Sequence, residues 1–187
     1  MTAPARRTQR TMAAEQTRAK LIETGLVLAE TLGLEGLSVN AIVADAGVSK
    51  GTFFHHFPDR TAYLVAVHRR FHDALSAEFW SVIGGLPPGR ERLAAAARTY
   101  LDACLRDRGV KALLLEARGH RPIADEVTAR NRRNVDIVTA DFEAMGRTHP
   151  RQSARLWVAA TAECALMELE LGRRDDTARA ALDEFVG

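Results

Sequence analysis

Apolar residues recur along this chain at intervals of three and four, the spacing that lays them on one face of an α-helix. Leu21, Ile22, Gly25, Leu26, Leu28, Ala29 and Leu32 form the first such stripe, and Gly33 is a natural stop. Ser38 then offers an N-cap for a short helix with Val39, Ile42, Val43 and Ala46 on one face, ended by Gly47. Ser49 can cap a third helix that turns Phe53 and Phe57 inward at i and i+4. Pro58-Asp59 interrupts the pattern, because a residue before proline is pushed out of the helical region. Asp59 then caps a long helix with Leu64, Val67, Phe71 and Leu75 along one side, as far as Gly84-Gly85. After a proline- and glycine-rich turn over 86–89, further helices are predicted near Arg90–Asp107, Val110–Arg118, Pro122–Met145, Pro150–Leu171 and Asp176–Val186. Pro122 and Pro150 suit first-turn positions, and Gly109, Gly146 and Gly172 suit C-terminal caps. No segment keeps a period of two and no internal repeat is present, so the expected fold class is all-α with about nine helices.

At 187 residues the chain can hold one sizeable core, or a small head on a larger body. Hydrophobic residues make up 47% and charged residues 27%, a balance that argues against wholesale disorder. No apolar run approaches the roughly 18–20 residues that cross a bilayer. No apolar block follows the first arginines, so no secretory signal is expected and the expected location is cytoplasmic. Cys104 and Cys164 fall inside apolar helical patterns and read as buried thiols rather than a redox switch. Charge is distributed unevenly. Residues 1–72 carry nine Lys/Arg against six Asp/Glu, whereas residues 73–187 carry 17 against 18. Arg6, Arg7 and Arg10 precede the first acid, Glu15, so residues 1–14 are expected to form a basic disordered arm. Such an arm suits a polyanion partner, or it simply keeps the chain soluble.

The most informative segment is 38–57, SVNAIVADAGVSKGTFFHHF. Two short helices joined by Gly47-Val48-Ser49 meet the needs of a helix-turn-helix: the glycine permits a left-handed backbone and the valine pins the helices together. The second helix opens with Ser49-Lys50-Gly51-Thr52, small and cationic groups at an end whose free N–H groups favour phosphate. Gly51 allows the backbone to come close to DNA. A helix fits the major groove, where each base pair presents its own donor and acceptor pattern.

These residues resemble the DNA-binding head of the TetR family of regulators. The likeness rests on Thr17-Arg18, Ser38-Val39, the run Ala46-Gly47-Val48-Ser49-Lys50-Gly51-Thr52, His56-Phe57 and Arg60. It covers residues 15–65; the remainder is similar to the family in size and helix count only. The resemblance implies a three-helix head over 15–62, a dimerisation and effector-binding body over 63–187, and double-stranded DNA with a palindromic operator as partner. It implies that Lys50, Gly51, Thr52, Phe54, His55 and His56 face the groove or its phosphates. Thr17, Ser38 and Asn40 would touch the DNA backbone, with Val39 and Ser49 beside them, and Arg60 would clamp a phosphate. Phe53 and Phe57 would be core. Phe54 stands where the family usually has a tyrosine, so a contact with sugar or a thymine methyl would replace a phosphate hydrogen bond.

The segment Pro150–Leu171 is apolar nearly all round, so it must bury more than one face. With Ala178, Ala181, Leu182 and Phe185 it could build a four-helix interface between two copies, or fill the core of one. The resemblance implies the former, a homodimer through the last two helices. It also implies a pocket among the middle helices for a small organic effector. Candidate lining residues are Phe71, Leu75, Tyr100, Cys104, Leu114, Arg118, Asn131, Phe142, Met145 and Trp157. Glu163 is the sharpest anomaly, a carboxylate inside an apolar run whose burial would be costly. Arg118, Asn131 and Asn134 could satisfy it, as a structural pair or as part of a ligand site. His68 and His72 stand at i and i+4, but no glutamate sits beside the first and no third metal ligand is evident, so packing is the better reading. No cofactor is expected, and no nucleophile–base constellation points to an enzyme. The expected function is a sequence-specific DNA-binding transcriptional regulator, a repressor released from its operator by a small organic ligand. The alternative is an architectural DNA-binding protein without an effector.

Overall fold

The computed structural model describes residues 3–187, the side chains of residues 3–8 and 10 excepted. Its helices are α1 (Ala3–Gly36), α2 (Val39–Ala46), α3 (Lys50–His56), α4 (Arg60–Ile83), α5 (Arg90–Arg106), α6 (Arg108–Glu116), α7 (Arg121–Ala144), α8 (Pro150–Leu171) and α9 (Asp176–Glu184). One 3-10 turn, Ala117–Gly119, joins α6 to α7, and the described residues contain no strand. The all-α class follows from the period of the apolar positions. No helix among the described residues is long and apolar enough to cross a membrane.

The helix boundaries have local chemical causes. Ser38 accepts a hydrogen bond from the Ala41 N–H, Ser49 from Thr52 and Asp59 from Ala62, so all three expected caps form. Gly47 closes α2 in the left-handed region at φ 63°, a conformation other residues rarely adopt. Gly33 breaks the helical dihedrals of α1 as expected, although Leu34–Gly36 coil on beyond it. Two expectations fail. Residues from Ala3 on are helical, where an unstructured arm was expected, because residues 3–16 are rich in Ala, Arg and Gln and place Pro4 in the first turn, where it is tolerated. The side chains of Arg6, Arg7 and Arg10 lie outside the described residues. Gly109 is not a C-cap; it is the second residue of α6.

The apolar residues form two clusters. The first gathers Leu21, Ile22 and Ala29 of α1, Ile42, Val43 and Ala46 of α2, Phe53 and Phe57 around α3, and Tyr63, Leu64 and Val67 of α4. It runs on without a break into Val110, Leu113 and Leu114 of α6 and Ile123 of α7. The head is therefore packed onto the body rather than tethered to it. The second cluster joins α5, α7, α8 and α9 around Leu93, Leu101, Phe142, Trp157 and Leu182. There Arg179 makes a bidentate pair with the buried Glu168 (2.6 and 2.9 Å) and reaches Asp102 on α5, fixing α9 to its neighbours.

The seam between α1 and α6 is unusually close. A Cβ on Gly109 would stand 2.4 Å from the Cα of Glu30, so only a residue without a side chain lets the two backbones meet. The Glu30 carboxylate accepts from the Gly109 and Val110 N–H groups at 3.2 and 3.3 Å, capping α6. Glu116 at the other end of α6 accepts from the Leu34 N–H at 3.1 Å. Gly109→Ala should force α1 and α6 apart, destabilising the protein by about 1–3 kcal/mol. Gly119→Ala, whose Cβ would meet nothing within 4 Å, should leave the melting temperature nearly unchanged. Equal melting temperatures for the two variants in a calorimetric scan would contradict this account of the seam.

Candidate nucleic-acid interface and body cavity

Helix α3 divides cleanly into two faces. Phe53 is buried and Phe57, its C-cap, is 2% exposed, their rings 5.5 Å apart and each close to the Tyr63 ring. These aromatic contacts hold α3 against the head by its inner side. Lys50, Gly51, Phe54 and His55 point outward, with Thr52 and His56 half-buried at the edges. Phe54 leaves half of its surface in solvent, braced edge-on against Phe53 at 5.4 Å. A Cβ on Gly51 would meet only the Ser49 Oγ, at 3.6 Å, so nothing inside the protein demands a glycine there. Burial together with the nearby charges of His55 and Arg18 lowers the pKa of His56 and favours its neutral ring.

The other head residues singled out by sequence take varied roles. Asn40 is exposed on α2, and Val39 is half-buried beside it. Ser38 and Ser49 serve as caps, and the Ser49 hydroxyl lies 3.0 Å from that of Thr52. The Thr17 hydroxyl donates to the Ala13 carbonyl at 2.9 Å, within its own helix. Arg60 departs from its expected role as a phosphate clamp. Its Nε donates to the Leu37 carbonyl at 2.9 Å and a terminal nitrogen donates to the Leu34 carbonyl. The guanidinium thus straps the start of α4 to carbonyl groups at and just past the end of α1.

Two head residues were given no role by the sequence. Arg18 lies 5.0 Å from the Phe57 ring centre, which places an exposed cation beside α3. Its signal was its place next to Thr17. Tyr63 is fully buried and donates its hydroxyl to the Leu21 carbonyl at 2.8 Å, raising its pKa through burial. The hydroxyl reaches that carbonyl because Gly25 is bare: a Cβ there would stand 2.1 Å from it.

In the body a cavity of about 120 Å³ opens between α4, α5, α6, α7 and α8. Leu75, Tyr100, Leu114, Arg118, Asn131 and Trp157 line it, as expected. Phe71, Cys104 and Phe142 do not; they are buried in the two apolar clusters. Met145 stands apart from the cavity, at the end of α7 near Val186. Glu163 is exposed on α8, and the buried carboxylate of that helix is Glu168, already paired with Arg179. The periodicity identified α8 as apolar but could not say which of its sides met a void, another helix or solvent.

The polar lining was largely unforeseen. His68, 1% exposed, and His72 face the cavity with rings 4.5 Å apart. Burial, with Arg130 the next contributor, depresses His68 to about 4 and lowers His72 as well, so both rings are neutral at ordinary pH. Lys111 is 4% exposed and its Nζ donates to the Tyr100 hydroxyl at 2.9 Å. Among the described residues no three His, Cys, Asp or Glu side chains come together as a metal site requires.

Leu156, Met167 and Leu171 of α8 and Phe185, the C-cap of α9, are exposed, with between 43% and 61% of each in solvent.

Residues 21–67 match the model of the family described as bacterial regulatory proteins, tetR family. The chain is 31% identical over 103 residues to CymR, an HTH-type transcriptional regulator of Pseudomonas putida. That match spans 53% of this chain and half the length of CymR. A transcriptional regulator from Rhodococcus sp. Rha1 superposes over 91% of this chain and 94% of its own, with TM-score 0.78 and 25% identity. RolR, solved in complex with resorcinol, shares the fold over 95% of this chain and 90% of its own, at TM-score 0.67 and 21% identity. The helix-turn-helix head thus matches the tetR family of bacterial regulatory proteins, and the full length shares the fold of a transcriptional regulator.

Proposed function

We propose that the protein is a homodimeric, sequence-specific DNA-binding repressor that leaves a palindromic operator when a small organic ligand enters the body cavity. The observation that carries the DNA-binding part is the outward face of α3. Lys50, Phe54 and His55 stand in solvent in front of an aromatic pair that anchors the helix. Lys50 and Arg18 supply positive charge for phosphate, and Phe54 suits the methyl group of thymine. Gly51, unneeded by the fold itself, leaves room for close approach.

Dimerisation rests on the exposed apolar residues of α8 and α9, a face that a monomer would leave wet. Pairing two copies there makes a four-helix interface and sets two α3 helices at the ~34–36 Å spacing of successive major grooves. Ligand response rests on where the cavity lies. His68, His72 and Leu75 belong to α4, and Lys111 and Leu114 to α6. Both helices run into the head core, so a ligand that prefers one arrangement of them shifts the spacing of the two α3 helices. RolR, which shares the fold, holds resorcinol.

Selection of bound duplexes from a random pool should enrich one palindrome; a pool that stays random would overturn the assignment. On that palindrome, Lys50→Ala should weaken binding and reduce the slope of log affinity against log salt by about one, with the melting temperature unchanged. Arg60→Ala should instead lower the melting temperature, by about 1.5–3 kcal/mol of stability, because it unstraps the α1–α4 junction. An unchanged salt slope in Lys50→Ala would remove the phosphate role of that residue.

Met167→Arg and Leu156→Arg should each yield monomers by analytical ultracentrifugation and lose operator binding. Val27→Arg, at an equally exposed apolar position on α1, should remain dimeric. Dimers persisting in both α8 variants would place the interface elsewhere.

A further inference from the structure

The cavity is electrically one-sided. Among its lining residues are Lys111, Arg118 and Arg130, and not one Asp or Glu. His68 and His72 both feel Arg130, Lys111 and Arg118 as repelling charges, offset in part at His68 by Glu126. Lys111 is buried, Arg130 half-buried and Arg118 exposed at the mouth, and among the described residues none of the three has a carboxylate within ion-pair distance. The acids whose charge Arg130 feels, Asp73 and Glu126, stand outside the lining, and Glu126 is held by Arg69 of α4. Two buried polar atoms on this wall, the Nδ1 of His68 and the Nε of Arg130, have no hydrogen-bond partner.

Unpaired buried charge and orphaned donors are each costly, and native proteins keep them where something else completes the set. Other buried ions of this molecule are completed internally: Asp141 by Arg92 at 2.7 and 2.8 Å, Glu168 by Arg179. Lys111 is the exception, with the half-buried Arg130 beside it in the lining. The opposite wall is apolar and aromatic, with Leu75, Phe79, Trp80, Ile137 and Trp157. The volume of about 120 Å³ is near the ~150 Å³ that accommodates one benzene ring.

Building on the effector reading above, we propose that the ligand is a compact organic anion. It has an apolar body of about one ring and a carboxylate-like head received by Lys111 and Arg130, with His68 within the same polar wall. The anion supplies the missing counter-charge, the orphaned Arg130 Nε gains an acceptor, as does His68 Nδ1 in the tautomer that carries its proton there, and the aromatic wall takes the body. A cationic ligand would meet three like charges. A neutral one would leave them unbalanced.

The test uses the full-length protein and two readouts. In calorimetric titrations, benzoate and cyclohexanecarboxylate should bind at least tenfold more tightly than their amides, and benzylamine and cyclohexylmethylamine should not bind. Lys111→Met and Arg130→Met should each reduce carboxylate affinity to the amide level. Without any ligand, Lys111→Met should raise the melting temperature by several degrees, because it removes an unpaired buried charge. A lowered melting temperature would make Lys111 a structural partner of Tyr100 and overturn the proposal. Amides or amines that bind as tightly as carboxylates and release DNA would overturn the anion assignment while leaving the effector reading intact. Absence of binding by every probe would overturn both.

Discussion

Helices α1 and α6 touch backbone to backbone at Gly109, and much of what this molecule can do depends on that contact. Two helices with ordinary side chains at their crossing stay ~8–10 Å apart axis to axis; a bare Cα lets them come closer. At that range the Glu30 carboxylate caps the first turn of α6, and Glu116 returns the favour to Leu34 just past the Gly33 break. The two helices therefore terminate each other. A shift of α6 cannot be absorbed by a soft side-chain layer, and it is passed to the junction from which α2 and α3 hang.

That junction is tied from a second direction by α4. Arg60 holds the Leu34 and Leu37 carbonyl groups, and Tyr63 reaches through the gap at Gly25 to the Leu21 carbonyl. The head is consequently not a bead on a string. Its core continues into α6 and α7, and its orientation is set by the same two helices that border the cavity. Close-packed interiors deform by switching between arrangements rather than by yielding gradually, so a rearrangement of the helices around the cavity would be felt in the head.

The distribution of buried charge separates scaffold from site. Arg179 with Glu168 and Asp102, and Arg92 with Asp141, are closed sets that fix α9 and the α5–α7 contact. Around the cavity the set is open: lysine and arginine without acid, and histidines kept neutral by burial and by those same cations. The contrast between completed and incomplete networks within one chain is what singles out the cavity.

Much of this was written in local order along the chain. Helices, their caps at Ser38, Ser49 and Asp59, and the inward turn of Phe53 and Phe57 follow from short-range rules, because a 3.6-residue period and a capping hydroxyl act within one or two turns. The outward residues of α3 were legible for the same reason: once Phe53 and Phe57 face in, Lys50, Phe54 and His55 face out. What those rules could not reach were contacts between residues far apart in sequence. Gly109 looked like a helix end and is a crossing point, since only the approach of Glu30, 79 positions earlier, distinguishes the two. Arg60 looked like a phosphate ligand until the carbonyls of α1 came within its reach. Glu163 and Glu168 sit five residues apart on one apolar helix, and only the arrival of Arg179 decided which was buried and which faced water. Periodicity assigns a residue to a side of its helix; what waits on that side is settled by packing, where partners brought together from distant segments determine which charges are matched.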